Sequence, residues 1–182
     1  MSLQPLHRAR RFGRSLIARA PSDDDTRWAH AQLTEEERRL FDKMPAVDRS
    51  HSIAVARLVA SRLGELGLSE SDDDARWLLA AALTHDVGKS VAGLGTYGRV
   101  VATLSEAVGG ASMARVWADK RGMTRKVGLY LQYPTLGSDL LAVAGSDERV
   151  VAWAGQHHEP EESWAVPIDA GRILRDADDE AG

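Results

Sequence analysis

The chain has 182 residues, 43% hydrophobic and 27% charged, enough for one domain with a sizeable core and outside the range of a disordered chain. Its formal charge of −4 gives no reason to expect a nucleic acid as partner, and the absence of cysteine excludes disulfides and thiolate metal sites. No apolar run approaches the roughly 20 residues of a transmembrane helix, so a cytoplasmic protein with no membrane partner is the expectation.

The first stretch, "MSLQPLHRARRFGRSLIARAP", is rich in Arg and poor in acids. It superficially suggests a transit peptide or a membrane-surface helix, yet it lacks a long apolar core and a signal-cleavage pattern. A peripheral helix or a loose basic tail is the expected reading. Ser22 and Thr34 each open an S/T-x-x-D/E pattern, the mark of a capped helix start, in "SDDDTRWAHAQL" and "TEEERRLFDKM". Pro45 closes that region, and residues 1–45 are expected to be a helical extension to a main domain over 46–182.

From Ser50 to Leu66 the apolar residues Ile53, Val55, Ala56, Val59, Leu63 and Leu66 recur mostly at helical steps, with Gly67 placed as the stop. Ser71 to Asp74 put acids at the positive end of the next helix, Ala75 to about Asp86, which Gly88 is expected to end. A Gly-rich connection (Gly93, Gly95, Gly98) follows. Further helices are expected over about 99–108, 111–121, 123–132, 135–144, 147–157 and 168–179. Strand signals are sparse and no repeat is present. The fold class expected is therefore all-α, a compact multi-helix bundle. The five tryptophans read as packing anchors between helices.

The chemistry concentrates in "LTHDVGK", where the most apolar helix of the chain runs into His85, Asp86 and Lys89. Of the six histidines, His7 and His30 have charged neighbours and no obvious partner. The other four form three clusters at expected helix ends: His51 opening a helix, His85-Asp86 closing one, and His157-His158-Glu159 after "VVAWAG". Asp176, Asp178 and Asp179 form a fourth group in the last helix. Imidazoles with carboxylates suit divalent ions such as Mn, Fe, Co, Ni or Zn. Isolated, each cluster is more often a polar helix end or a buried pair; together they point to a metal centre, with Lys89 within reach of a phosphate. Glu159 is expected to orient His158 rather than bind metal.

The segments "RSHSIAVA", "AAALTHDVGK", "QHHEP" and "ILRDADD" resemble, in order and spacing, the HD superfamily of metal-dependent phosphohydrolases. The resemblance implies an α-helical domain that gathers ligands around one or two divalent ions (Mn, Fe, Co, Ni, Zn or Mg). It implies His51, His85, Asp86 and Asp178 as metal ligands, Lys89 as a phosphate contact, and His157 and His158 as the added histidines of two-metal members. Two departures stand out. Where two-metal members carry an "HP..G..LL" motif, this chain has Tyr133-Pro134-Thr135-Leu136-Gly137-Ser138-Asp139-Leu140-Leu141, with tyrosine in the histidine's position. A phenol, with a pKa near 10, is a far poorer neutral ligand than imidazole. The Gly-Tyr-Pro loop of the HD-GYP phosphodiesterases is also missing from "HHEPEESWAVPID". The arrangement is closer to small stand-alone HD hydrolases, including those that cleave dinucleoside polyphosphates.

The implied activity is hydrolysis of a phosphomonoester or phosphodiester in a small phosphorylated substrate, a nucleotide above all. Asp86 would be ligand and general base, and Lys89 would offset phosphate charge. Arg49 and Arg99 are the next phosphate candidates, though for each a solvated surface charge is the better reading. The alternative is an HD-fold nucleotide-binding or regulatory module with little turnover.

Overall fold

A computed structural model of the chain describes residues 20–92, 114–119 and 121–182. Arg99, His7, the Gly-rich connection and the helix expected over 99–108 lie outside the described residues. Among the described residues the regular structure is all helical, with no strand.

The helices begin where local chemistry supplies a cap. In α1 (Asp23–Ala31) the Ser22 hydroxyl accepts from the Asp25 amide. In α2 (Glu35–Asp42) Thr34 and Glu37 close a reciprocal capping box, each side chain bonded to the other's backbone amide. Apolar residues of this region, Ala29, Leu33, Phe41 and Met44, are buried in the same core as the rest of the chain. The α1–α2 pair therefore packs as part of the bundle.

The next helix, α3 (Ala46–Arg62), starts four residues earlier than the apolar pattern suggests, directly after Pro45, whose extended backbone leads into it. His51 thus sits in the second turn of α3 rather than opening it. A 3-10 turn over Leu63–Leu66 continues the helix, and Gly67 at φ 70° ends it as expected. Asp72 precedes α4 (Asp73–Thr84), with its carboxylate bound to the amide and hydroxyl of Ser69, while Asp73 and Asp74 occupy the first turn. From Trp77 to Thr84 every residue of α4 is buried. This helix is the axis of the bundle, packed against α3 and α2 and against two later helices.

Helix α4 stops at Thr84, before the His-Asp pair, and a short helix α5 (Lys89–Ala92) follows. Gly88 does not end α4 by a left-handed turn; the positive-φ glycines among the described residues are Gly67, Gly122 and Gly145. Its role is steric. A Cβ at Gly88 would lie 1.9 Å from the Tyr133 carbonyl oxygen and 2.7 Å from the Gly137 amide nitrogen. The chain around Asp86 and Lys89 therefore lies backbone to backbone against a later helix.

Within the expected 111–121 helix the described part is α6 (Ala114–Ala118), followed by α7 (Gly122–Leu131) and α8 (Tyr133–Val143). Pro134 falls in the first turn of α8, where its missing N–H costs nothing. Helix α9 (Glu148–Gln156) pairs with α8 and packs on α4, and α10 (Ile168–Ala181) packs on α3 and α4. Trp153, Trp164 and Trp77 are buried as the anchors they were read to be; Trp153 and Trp164 meet edge to face at 5.2 Å.

Candidate metal centre

Four chain segments deliver polar side chains to one end of α4. Helix α3 brings His51 one turn before Val55, on the margin of its buried face. In α10 the buried stripe Ala170, Ile173, Leu174, Ala177 leaves Asp178 beside Leu174 and Ala177, where core meets solvent. That helix face is what distinguishes Asp178 from Asp176 and Asp179, which are exposed. His157 continues the buried face of α9, set by Val150, Trp153 and Ala154, while His158 is more exposed and packs its ring 4.0 Å from that of His157.

One donor atom each from His51, His85 and Asp178 lie within 4.8 Å of one another, a spacing able to hold a metal ion. His51 Nε2 is 2.9 Å from Asp178 Oδ1, and His85 Nε2 is 3.9 Å from the same oxygen. The second ring nitrogen of His85, Nδ1, donates to the Ala82 carbonyl at 2.9 Å. That bond leaves the Nε2 lone pair facing the cluster, the tautomer a metal needs. His157 repeats the device: Nδ1 donates to the Ala154 carbonyl at 3.1 Å.

Asp86 lies between the histidines. Its Oδ2 is 3.5 Å from His85 Nε2 and accepts from the Lys89 ammonium at 2.5 Å. Its Oδ1, 4.0 Å from His157 Nε2, is buried with no hydrogen-bond partner. Burial by itself would raise this carboxyl, but the Lys89 ammonium and the three imidazoles of His85, His157 and His51 outweigh it and hold it well below the usual carboxylate range. Burial pushes the His157 imidazole down to about 3, with His158 and His85 adding to the effect. His157 is therefore neutral, a lone-pair donor at any ordinary pH.

The donor set fits a divalent ion. It offers two imidazoles and a carboxylate, one imidazole with its far nitrogen already tied to backbone, beside a buried anionic oxygen with no partner of its own. Tyr133, buried at the start of α8, faces the other side of this group. Its hydroxyl is hydrogen-bonded to His158 Nε2 and lies 3.3 Å from His157 Nε2, and the Lys89 ammonium stands 4.8 Å from the centre of its ring.

The remaining residues singled out in the sequence are placed elsewhere. Arg49 donates to the carbonyls of Asp42 and Met44, at 2.9 and 3.0 Å, closing the α2–α3 corner. Glu159 is exposed. His30 has a partner the sequence did not suggest, Asp42 at 2.8 Å. The close Gly88–Gly137 approach was also unforeseen, although two glycines in helical surroundings are its available signal.

A family model described as HD domain matches residues 49–181, most of the chain. No curated protein and no solved structure matches it.

Proposed function

The chain belongs to the HD domain family, and from that premise we propose that it hydrolyses a phosphate ester of a nucleotide, a phosphomonoester or a phosphodiester, with a divalent ion at His51, His85, Asp86 and Asp178. HD domains bind divalent metals and are generally phosphohydrolases. The observation that carries the proposal is the meeting of the His51, His85 and Asp178 donors beside the buried Asp86–Lys89 pair. An ion in such a site supplies Lewis acidity to a water and to a phosphoryl oxygen.

The protein's own groups account for the rest of the chemistry. Asp86 Oδ1, the buried oxygen with no hydrogen-bond partner, is the acceptor for the proton of the attacking water. A carboxylate held low by an ammonium is a weak base. Lys89 is only partly buried, however, and a substrate phosphate competes with Asp86 for its charge. As the ammonium turns to the phosphate, Asp86 gains basicity when a proton has to be taken up. The same movement places positive charge where the phosphoryl oxygens become more negative.

The test pairs elemental analysis with a screen of nucleoside phosphates and dinucleoside polyphosphates. Wild-type protein is expected to carry divalent metal and to turn over at least one substrate. Asp86→Ala should lose both with helical content nearly unchanged. Full turnover by Asp86→Ala would rule the assignment out. Metal retention without turnover of any phosphate would favour the regulatory module instead, a reading that the Tyr133 hydrogen bonds to the histidine pair specifically support.

A further inference from the structure

We propose that Tyr133 closes the half of the centre facing His157 and His158, so that the site takes one ion and the histidine pair is hydrogen-bonded to the phenol instead of ligating metal. This rests on the functional reading above.

Among the described residues, the group able to hold an ion contains His51, His85 and Asp178, and neither His157 nor His158. The reason lies in the proton inventory around the phenol. His157 donates through Nδ1 to Ala154, so its Nε2 can only accept. The nearby donor is the Tyr133 hydroxyl, 3.3 Å away. A phenol has one proton to give and can accept as well. With that proton directed to His157, the contact between Tyr133 and His158 Nε2 requires His158 to donate. The consistent arrangement is a chain in which His158 Nε2–H donates to the Tyr133 oxygen and Tyr133 O–H donates to His157 Nε2. Both Nε2 atoms are then spent. One has accepted a proton bond and the other carries a hydrogen.

Admitting a second ion there means breaking both bonds, moving the His158 proton to Nδ1 and replacing an imidazole with a phenol as ligand. Nor can the phenol easily move aside. Tyr133 is buried, its ring faces the Lys89 ammonium, and its carbonyl lies against Gly88 too closely for even a methyl group to intervene. Ring, hydroxyl and backbone are each held by a different neighbour.

The experiment is a calorimetric titration of the chelator-stripped full chain with Mn2+, for wild type, Tyr133→His and Tyr133→Phe. Zn2+-loaded samples of wild type and Tyr133→Phe are used for nitrogen NMR of the histidine rings. Wild type is expected to saturate at one ion per chain and Tyr133→His at two. Tyr133→Phe keeps the ring against Lys89 and removes only the hydroxyl. It should shift the ring-nitrogen resonances of His157 and His158 and leave those of His51 and His85 in place, a result that does not depend on Tyr133→His folding. Two ions in wild type, one ion in a folded Tyr133→His, or unmoved His157 and His158 resonances in Tyr133→Phe would each overturn the inference. Absence of any bound ion in wild type would overturn the functional reading and this inference with it.

Discussion

Gly88→Ala is a small substitution with a large expected effect. The added Cβ would sit 1.9 Å from the Tyr133 carbonyl oxygen, 2.7 Å from the Gly137 amide nitrogen and 2.9 Å from the Tyr133 carbonyl carbon. Real Cβ contacts begin at about 3.0 Å, so α8 and the Asp86–Lys89 segment must part by about 1.1 Å. All three obstructing atoms are backbone, and no rotamer change relieves them. Overpacking of this kind costs about 1–3 kcal/mol, here expected at the upper end. For a chain of this size that corresponds to a fall in Tm of roughly 6–12 °C. The displacement passes directly between Asp86 and Tyr133, and a 1 Å misplacement of catalytic groups can cost on the order of 100-fold in rate. Circular-dichroism melts and kcat/KM on the best substrate from the screen measure both effects. Gly64→Ala is the matched control, since a Cβ there meets nothing within 4 Å. It should be neutral or slightly stabilising. A Gly88→Ala protein that melts within 1 °C of wild type with unchanged metal content and turnover would refute the close approach.

Thr34→Ala removes one arm of the capping box at α2, a helix that supplies no residue to the metal cluster; it should cost about 1 kcal/mol, seen as a Tm lower by roughly 2–4 °C, with metal content unchanged. His157, held down to about 3 by burial, does not bind the proton that the unfolded chain binds near 6.5. Stability of the metal-free protein should therefore fall as pH drops below about 6.5, by up to ~1.4 kcal/mol per unit from this group. Urea midpoints between pH 7.5 and 4.5 measure this slope, and His157→Gln should flatten it. Asp86 acts in the same direction, but only below the usual carboxylate range, because its folded pKa is lowered.

Helix ends set by local chemistry were legible in the sequence. Ser22 and Thr34 cap as their patterns indicate, and Gly67 turns left-handed where a stop was expected. Errors arose where position depended on a distant partner. An apolar pattern that begins at Ser50 makes His51 a helix opener, yet the helix starts directly after Pro45, and Asp48 and Arg49 interrupt the pattern in its first turn. Residue type alone makes Gly88 a helix terminator; its need for a missing side chain comes from α8, 45 residues and more along the chain. For Arg49 the sequence shows only the charge, and the carbonyls of Asp42 and Met44 that it bonds to are tertiary information. The metal-site residues were nominated by type and order, but that three of them share one 4.8 Å cluster and two others bond to a tyrosine is tertiary information.

The buried end of α4 is an unfavourable place for Asp86 in the absence of a ligand. The Lys89 ammonium keeps the carboxylate charged, yet Oδ1 still has no hydrogen-bond partner, and leaving such a group unsatisfied costs about 1–3 kcal/mol or more when it is charged. Surrounding core contacts tolerate that cost: Leu83, Val87 and Leu79 are completely buried on either side of the pair. An apolar replacement would remove the penalty, so stability alone does not call for an aspartate here. A cation at the His51–His85–Asp178 cluster offsets it, and binding that occurs only in the folded state adds RT ln(1 + [L]/Kd) to stability, about 2.7 kcal/mol at 100 times Kd. The ion that the chemistry calls for is thus also the group that relieves the strain of placing Asp86 at the end of the most buried helix. Chelation should therefore lower the stability of the wild type and leave that of Asp86→Ala, which holds no ion and has no buried carboxylate to satisfy, nearly unchanged.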